Sequence, residues 1–216
     1  MRFNHLKKKL KQPKVIMIRH GKTNFNGTDD TPDRIRGHIN IPLNDEGRED
    51  AKKAGEKLIN KKVIVDEFFS SDLDRTRETA KIIHDTIKSS APIIYSDALR
   101  PWNLGIYEGQ VTDDVIDDLN LMVKKPNIVP TNGESFNQFK DKFLTQLIKI
   151  INISLKNNST IVIISHFRNL KTADSWIEAG AKPDLSFNKE VMINDKFKPG
   201  ELFILPLDEI KKGGAV

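Results

Sequence analysis

Two periods organise the apolar positions of this chain. Unbroken apolar runs occur at Val15-Ile16-Met17-Ile18 and Thr160-Ile161-Val162-Ile163-Ile164, each bounded by polar residues. Their length and β-branched content predict strands buried on both faces. Val63 to Phe69 predicts a further strand, and Ile93-Ile94-Tyr95 a short one. Between these runs the period becomes helical. Asn44 or Asp45 opens a helix with acids in its first turn and Ala51, Ala54, Leu58 and Ile59 as its apolar stripe. From Asp72 a second helix carries Leu73, Thr76, Ala80, Ile83 and Ile87, with His84 at the edge of that stripe. Thr112 caps a short helix bearing Val115, Leu119 and Met122. After the Asn132-Gly133 turn, Glu134 to Leu155 forms a long helix whose Phe136, Phe139, Phe143, Leu147 and Ile151 read as core packing. A helix follows the 160–164 strand as far as about Ala179, with Gly180 at its C′ position. Met192-Ile193 and Leu202-Phe203-Ile204-Leu205 predict a terminal pair of strands joined through Pro199-Gly200.

Strands that alternate with helices define an α/β protein, here a three-layer α/β/α sandwich around a mostly parallel sheet. No repeat or low-complexity linker interrupts it, so one domain is expected over residues 14–210, preceded by a flexible basic leader at 1–13. Charge sharpens the picture of that leader. The net charge is +5, yet the first 14 residues hold Arg2, Lys7, Lys8, Lys9, Lys11 and Lys14 and no acid, leaving the body at −1. The basic balance therefore belongs to the leader, as a solvated tail or a secondary nucleic-acid contact, and does not define the folded body. With 38% hydrophobic and 30% charged residues the composition is that of a globular protein, and no apolar run is long enough for a membrane span. The leader has no apolar segment of the secretory kind, and there is no cysteine for a disulfide or thiolate metal site. Both features fit a cytoplasmic protein.

The candidate chemistry gathers at strand ends. One buried strand runs into Arg19-His20-Gly21 and the other into Ser165-His166. In open α/β sheets ligands bind at the carboxyl ends of strands, although strands also end in merely solvated polar residues. Neighbouring strands lie roughly 4.8 Å apart, so if these two are adjacent their imidazoles can face one another. Arg36 lies in a long polar loop from Thr23 to Pro42, a length that in compact domains often accompanies function. Arg75 and Arg77 fall in the first turn of a helix, where the macrodipole disfavours cations unless an anion is present. Arginine forks match phosphate oxygens. The composite is a phosphate pocket with a histidine nucleophile at its floor.

At these residues the chain resembles the histidine phosphatase superfamily, in its phosphoglycerate mutase-like branch. The matching segments are Arg19-His20-Gly21-Lys22-Thr23-Asn24-Phe25-Asn26, Arg36-Gly37, Pro42 to Gly47, Ser70 to Thr76, Leu99 to Gly109, Gly133-Glu134-Ser135 and Ile164-Ser165-His166. They occur in the family's order over roughly residues 14–170. The resemblance implies that His20 becomes phosphohistidine and that Arg19, Arg75 and His166 bind the phosphoryl group and stabilise its equatorial oxygens. Asn26, Arg36 and Gly37 would line the phosphate or leaving-group side. No cofactor and no metal are implied, since arginines supply the positive charge; a metal site on His20, His38 and His166 is disfavoured for the same reason. The implied partner is a phosphorylated small molecule or phosphoprotein.

Two departures limit the transfer. Where the family usually follows Leu-Arg with a general-acid Glu, Leu99-Arg100 is followed by Pro101, and general acid catalysis is worth about 10²–10⁴-fold. That loss weighs most on alkyl phosphates and least on phosphohistidine or acyl phosphates. Glu108, Glu134, Asp72 and Asp74 are the candidate replacements, with structural hydrogen bonding the favoured role of Glu108 and Glu134. Pro101-Trp102 would shape the pocket wall. The second departure is Phe167-Arg168 after His166, where Gly-Asn is common. The Phe167 backbone N–H keeps phosphate binding possible, while Arg168 either adds a charged fork for a more anionic substrate or points outward. The expected function is a phosphatase, with a phosphomutase or a non-catalytic phospho-ligand binder as alternatives.

Overall fold

A computed structural model describes residues 12–193 and 197–216; the basic leader, apart from Gln12 and Pro13, lies outside the described residues. The sheet has five strands, β1 (Lys14–Arg19), β2 (Glu67–Ser70), β3 (Ile93–Tyr95), β4 (Thr160–Ser165) and β5 (Leu202–Ile204), in the order β3-β2-β4-β1-β5. All neighbours are parallel except β1 and β5. The helices are α1 (Asp45–Asn60), α2 (Asp74–Thr86), α3 (Thr112–Lys124), α4 (Phe136–Asn157), α5 (Phe167–Glu178), α6 (Lys189–Ile193) and α7 (Leu207–Gly213). Among the described residues no helix is long and apolar enough to cross a membrane.

The alternation along β1 shows how the sheet divides the core. Val15 and Met17 pack with α3, α4 and α5 on one face, while Ile16 and Ile18 pack with α1 and α2 on the other, all without solvent exposure. Burying an aliphatic side chain of this size is worth about 1.5–3 kcal/mol. β4 does the same at Ile161 and Ile163 against Val162 and Ile164. Strands buried on both faces explain why these two runs read as continuous apolar sequence.

Local signals set the helix ends. Asn44 caps α1, its side chain accepting from the Gly47 N–H at 2.8 Å. Ser135 and Gln138 form a reciprocal capping box at α4, which therefore starts at Phe136 and runs to Asn157. Gly180 has φ +91° immediately after α5.

Four expectations need correction. The Val63–Phe69 stretch is a strand only from Glu67, because Glu67 pairs with Ile161 and β4 begins at Thr160, leaving Val63 to Val65 no neighbour to pair with. Ile59 is 51% exposed and lies outside the buried stripe of α1. Thr112 is not the cap of α3 but its first residue, and its hydroxyl donates to Asp33 Oδ2 at 2.7 Å. Met192-Ile193 belongs to α6, not to a strand; β5 pairs instead with β1, and the Met192 side chain is buried against α5. Short apolar runs carry too little periodicity to separate these outcomes.

The turn that releases the chain from β1 depends on two glycines in backbone contact. A Cβ on Gly47 would lie 2.0 Å from the Lys22 carbonyl oxygen, and one on Gly21 would lie 2.1 Å from that of Gly47. Gly47→Ala should therefore destabilise the protein by about 2–4 kcal/mol. Urea denaturation checks this; a midpoint within error of wild type would show that the backbone yields without cost.

Candidate active site

The β1–β4 ladder ends with Arg19 opposite Ser165, and the His20 N–H continues it by donating to the Ser165 carbonyl at 3.0 Å. His20 and His166 thus leave adjacent strands side by side. Their rings lie 5.2 Å apart, centre to centre, in an edge-on arrangement inclined at 65°, and each residue is 3% exposed.

Hydrogen-bond partners assign the protons on these rings. His20 Nδ1 lies 2.7 Å from the Gly21 carbonyl oxygen, which can only accept, so Nδ1 carries the hydrogen and Nε2 holds the lone pair. His166 Nδ1 accepts from Arg75 Nε at 3.3 Å, so its hydrogen resides on Nε2. That Nε2 is buried and has no partner within the described residues. The two rings are therefore complementary, one presenting a lone pair and the other an N–H.

Electrostatics hold both in the neutral form. Burial, then the Arg75 and Arg19 guanidinium groups, push the His20 pKa well below 6.5. Burial, Arg75 and His20 do the same to His166. A neutral, buried imidazole keeps its lone pair at physiological pH.

Arg75 ties the backbone around the two histidines together. It is fully buried in the first turn of α2 and donates from Nη1 to Ile39 O at 2.8 Å and from Nη2 to Gly37 O at 2.7 Å. Burial and the nearby Arg36 lower its pKa to about 9, so it is still cationic at neutral pH. Three of its five N–H groups are engaged in these contacts and the His166 bond, leaving two that these contacts do not use. Arg36 is held by Thr23 Oγ1 at 3.3 Å, Phe25 O at 3.0 Å and Asp33 Oδ1 at 2.7 Å. Asn26 accepts from the Thr23 N–H at 2.9 Å and shapes the same loop. Gly37 has φ +45°, and a Cβ there would strike the Glu108 carboxylate at 2.1 Å.

Arg19, His20, Asn26, Arg36, Gly37, Arg75, His166, Phe167 and Arg168 all line one cavity of about 1090 Å³. Arg168 thus faces the cavity rather than the outer helix surface, with Nη1 donating to the Met192 carbonyl at 3.2 Å. The Arg19 guanidinium carbon sits 5.0 Å from the centre of the Phe167 ring. Pro101 and Trp102 form part of the wall as expected.

The candidate acids lie elsewhere. Glu108 Oε1 accepts from the backbone of His38 at 2.8 Å and Leu104 at 3.1 Å. Glu134 accepts from the Asn103 N–H at 3.1 Å and from Lys142 at 2.9 Å. Asp72 forms a two-pronged pair with Arg100, at 2.7 and 2.5 Å, which lowers its pKa, and Asp74 stands at the start of α2. None of the four lines the cavity. Sequence reasoning missed Asp33, which joins Arg36 to Thr112 of α3. It also missed the link from His38 Nε2 to the Pro101 carbonyl at 2.9 Å. The Asp33–Thr112 and His38–Pro101 contacts have no local sequence signal, because each closes between distant loops, whereas Asp33 and Arg36 are only three residues apart.

Paired neutral histidines ringed by arginines thus stand at the carboxyl edge of a mostly parallel sheet. The model of the histidine phosphatase superfamily (branch 1) matches residues 15–188, and the chain belongs to that family. It is 25% identical over 206 residues to a broad-specificity phosphatase of Saccharomyces cerevisiae, covering 89% of this chain and 83% of that protein. It is 30% identical over 159 residues to phosphoglycerate mutase-like protein 4 of Arabidopsis thaliana, covering 70% and 65%. A solved mycobacterial glucosyl-3-phosphoglycerate phosphatase shares the fold with a TM-score of 0.70 at 18% identity, covering 89% of this chain and 92% of that one.

Two predictions follow from the charge states. Both histidines have ordinary pKa values when unfolded and depressed ones when folded, so unfolding takes up a proton at each as pH falls below about 6.5. Stability is therefore full above that pH and declines below it. Urea midpoints from pH 8 to pH 5 test this, with His20→Asn flattening the slope; a wild-type midpoint independent of pH would contradict it. Arg75→Lys cannot satisfy Gly37 O, Ile39 O and His166 Nδ1 together, and an orphaned buried acceptor costs about 1–3 kcal/mol. Thermal denaturation should show that loss, and calorimetry should show at least tenfold weaker binding of inorganic phosphate.

Proposed function

We propose that this protein is a cofactor-independent and metal-independent phosphatase that works through a phosphohistidine on His20. The carrying observation is the opposed protonation of the two imidazoles, with His20 Nε2 bare and His166 Nε2 bearing hydrogen. In this reading the substrate phosphoryl group lies between Arg19, Arg75 and His166, whose N–H groups stabilise its equatorial oxygens as His20 Nε2 attacks in line. The Nε2–P bond forms, the P–O bond to the leaving group breaks, and that oxygen leaves with the electron pair and takes a proton from solvent. The Gly21 carbonyl, bonded to Nδ1–H, orients the ring and stabilises the positive charge that develops on it. Water then attacks phosphorus from the vacated side, the N–P bond breaks, and the lone pair returns to Nε2. Arg36 and Asn26 line the same pocket beside the transferred group.

The substrate is a phosphomonoester or a more labile phosphoryl donor such as a phosphohistidine or acyl phosphate. Support comes from the cavity's carboxylates. Asp33 is committed to Arg36 and Thr112, and Glu201 accepts from the Lys198 N–H at 2.6 Å. Asp113 is exposed in the first turn of α3, where the helix macrodipole favours negative charge. A leaving group that departs without a strong acid suits this set. The substrate is a phosphorylated small molecule or a phosphoprotein, and the protein acts in the cytoplasm.

Rapid quenching with a labelled phosphoryl donor should trap a near-stoichiometric phosphoenzyme that is acid-labile and base-stable. His20→Ala should abolish it and lower turnover at least ~10⁴-fold. Undiminished hydrolysis by His20→Ala would sink the proposal.

A further inference from the structure

We propose that the substrates of this cavity are aryl phosphate monoesters, in which phosphorus is bonded to a phenolic oxygen. The inference rests on the phosphatase reading above and specifies its leaving group. Two independent features of the cavity carry it, one of shape and one of acid–base chemistry.

The shape feature is an apolar wall. Ile35 and Ile116, both partly exposed, line the cavity in front of the buried Leu104, Leu119, Pro101 and Trp102. Backbone pairing holds this wall in place, since the Ile35 N–H donates to Gln110 O at 2.9 Å and the Gly109 N–H to Ile35 O at 2.8 Å. The Trp102 ring is locked by its Nε1–H bond to the Glu134 carbonyl at 2.7 Å and by edge contact with Phe136. The cavity volume of about 1090 Å³ far exceeds a phosphoryl group. Hydroxyls of a polyol set against Ile35 and Ile116 would find no hydrogen bond there, and burying an unpaired hydroxyl is unfavourable, although Thr112, Asp113 and Asn120 line the same cavity. An aromatic ring loses nothing there and gains its own burial.

The chemical feature is Pro101, which lines the cavity and has no proton to give. Without an acid, the leaving oxygen departs as an anion, and the barrier tracks the pKa of its conjugate acid. A phenol has a pKa of about 10, whereas an alkanol is a far weaker acid, comparable with water. In the first step the His20 Nε2–P bond forms, the P–O(aryl) bond breaks, and phenolate leaves with the bonding pair and takes a proton from solvent. In the second step water forms the new O–P bond, the N–P bond breaks, and phosphate leaves. The net change is ester plus water to phenol plus phosphate, with no other reactant.

The test is a set of aryl phosphates of graded leaving-group pKa, alkyl phosphates, acetyl phosphate and phosphohistidine, assayed with wild type, Pro101→Glu and Ile116→Asn. The aryl series should turn over at least 100-fold faster than alkyl phosphates and should slow steeply as the phenol pKa rises. Pro101→Glu should raise alkyl phosphate turnover by about 10²-fold and flatten that slope, because an acid now protonates the leaving oxygen. Ile116→Asn should raise KM for the aryl series about 5- to 10-fold while leaving KM for acetyl phosphate unchanged. Hydrolysis of free phosphotyrosine or of a phosphotyrosine peptide supports the class and shows which carrier fits.

Equal turnover of alkyl and aryl esters by wild type would overturn the proposal. So would a preference for acetyl phosphate or phosphohistidine that Ile116→Asn does not alter. If no donor shows His20-dependent turnover, the phosphatase reading fails, and calorimetry with phenylphosphonate against methylphosphonate judges the ring site separately. Tighter binding of phenylphosphonate that Ile116→Asn abolishes sustains the aryl site; equal binding of the two refutes it.

Discussion

The site depends on one buried cation. Arg75 has no solvent exposure, and a charge removed from water must be met by dipoles or counter-charge to be tolerated. Among the described residues its hydrogen-bond partners are two backbone carbonyls and an imidazole nitrogen, none of which carries a full negative charge. This arrangement leaves a site electrostatically suited to an anion. It also ties three parts of the fold together: α2, the loop through Gly37 and Ile39, and the end of β4.

The same guanidinium decides the protonation of the histidines. By donating to His166 Nδ1 it places the remaining hydrogen on Nε2, and its charge adds to burial in keeping both rings neutral. Neutrality costs stability at low pH but preserves a lone pair on His20 and a donor on His166. One residue therefore links fold stability to the charge state of both histidines, so the two cannot be varied independently at this position.

Away from the paired histidines the cavity changes character. Loop pairing between residues 33–35 and 109–112 brings α3 over the floor, with Asp33 bridging Arg36 and Thr112. Carboxylates that a sequence reader would consider for proton transfer are used instead to hold backbone: Glu108 on the His38 and Leu104 N–H groups, Glu134 on Asn103. The loops are kept rigid by groups that are thereby withdrawn from chemistry.

The α/β class, the two central strands and the arginine–histidine composition of the site were legible in the sequence. Strands buried on both faces leave unbroken apolar runs, and turn and capping residues such as Asn44 and Gly180 act locally. The motif order from Arg19-His20 to His166 carried the family. What the sequence left open was decided by contacts between distant segments. Val63 to Val65 do not form a strand because β4 has no residues opposite them, and Met192 became helical because β1 already had β5 along that edge. Whether Arg168 faces the cavity depends on how α5 sits on the sheet. The tautomers of His20 and His166 depend on a carbonyl and a guanidinium that only the folded chain brings within hydrogen-bond reach. Residue type supplied the reactive groups, and packing determined which of them meet, because hydrogen bonds and desolvation act over a few ångströms in space whatever the separation along the chain.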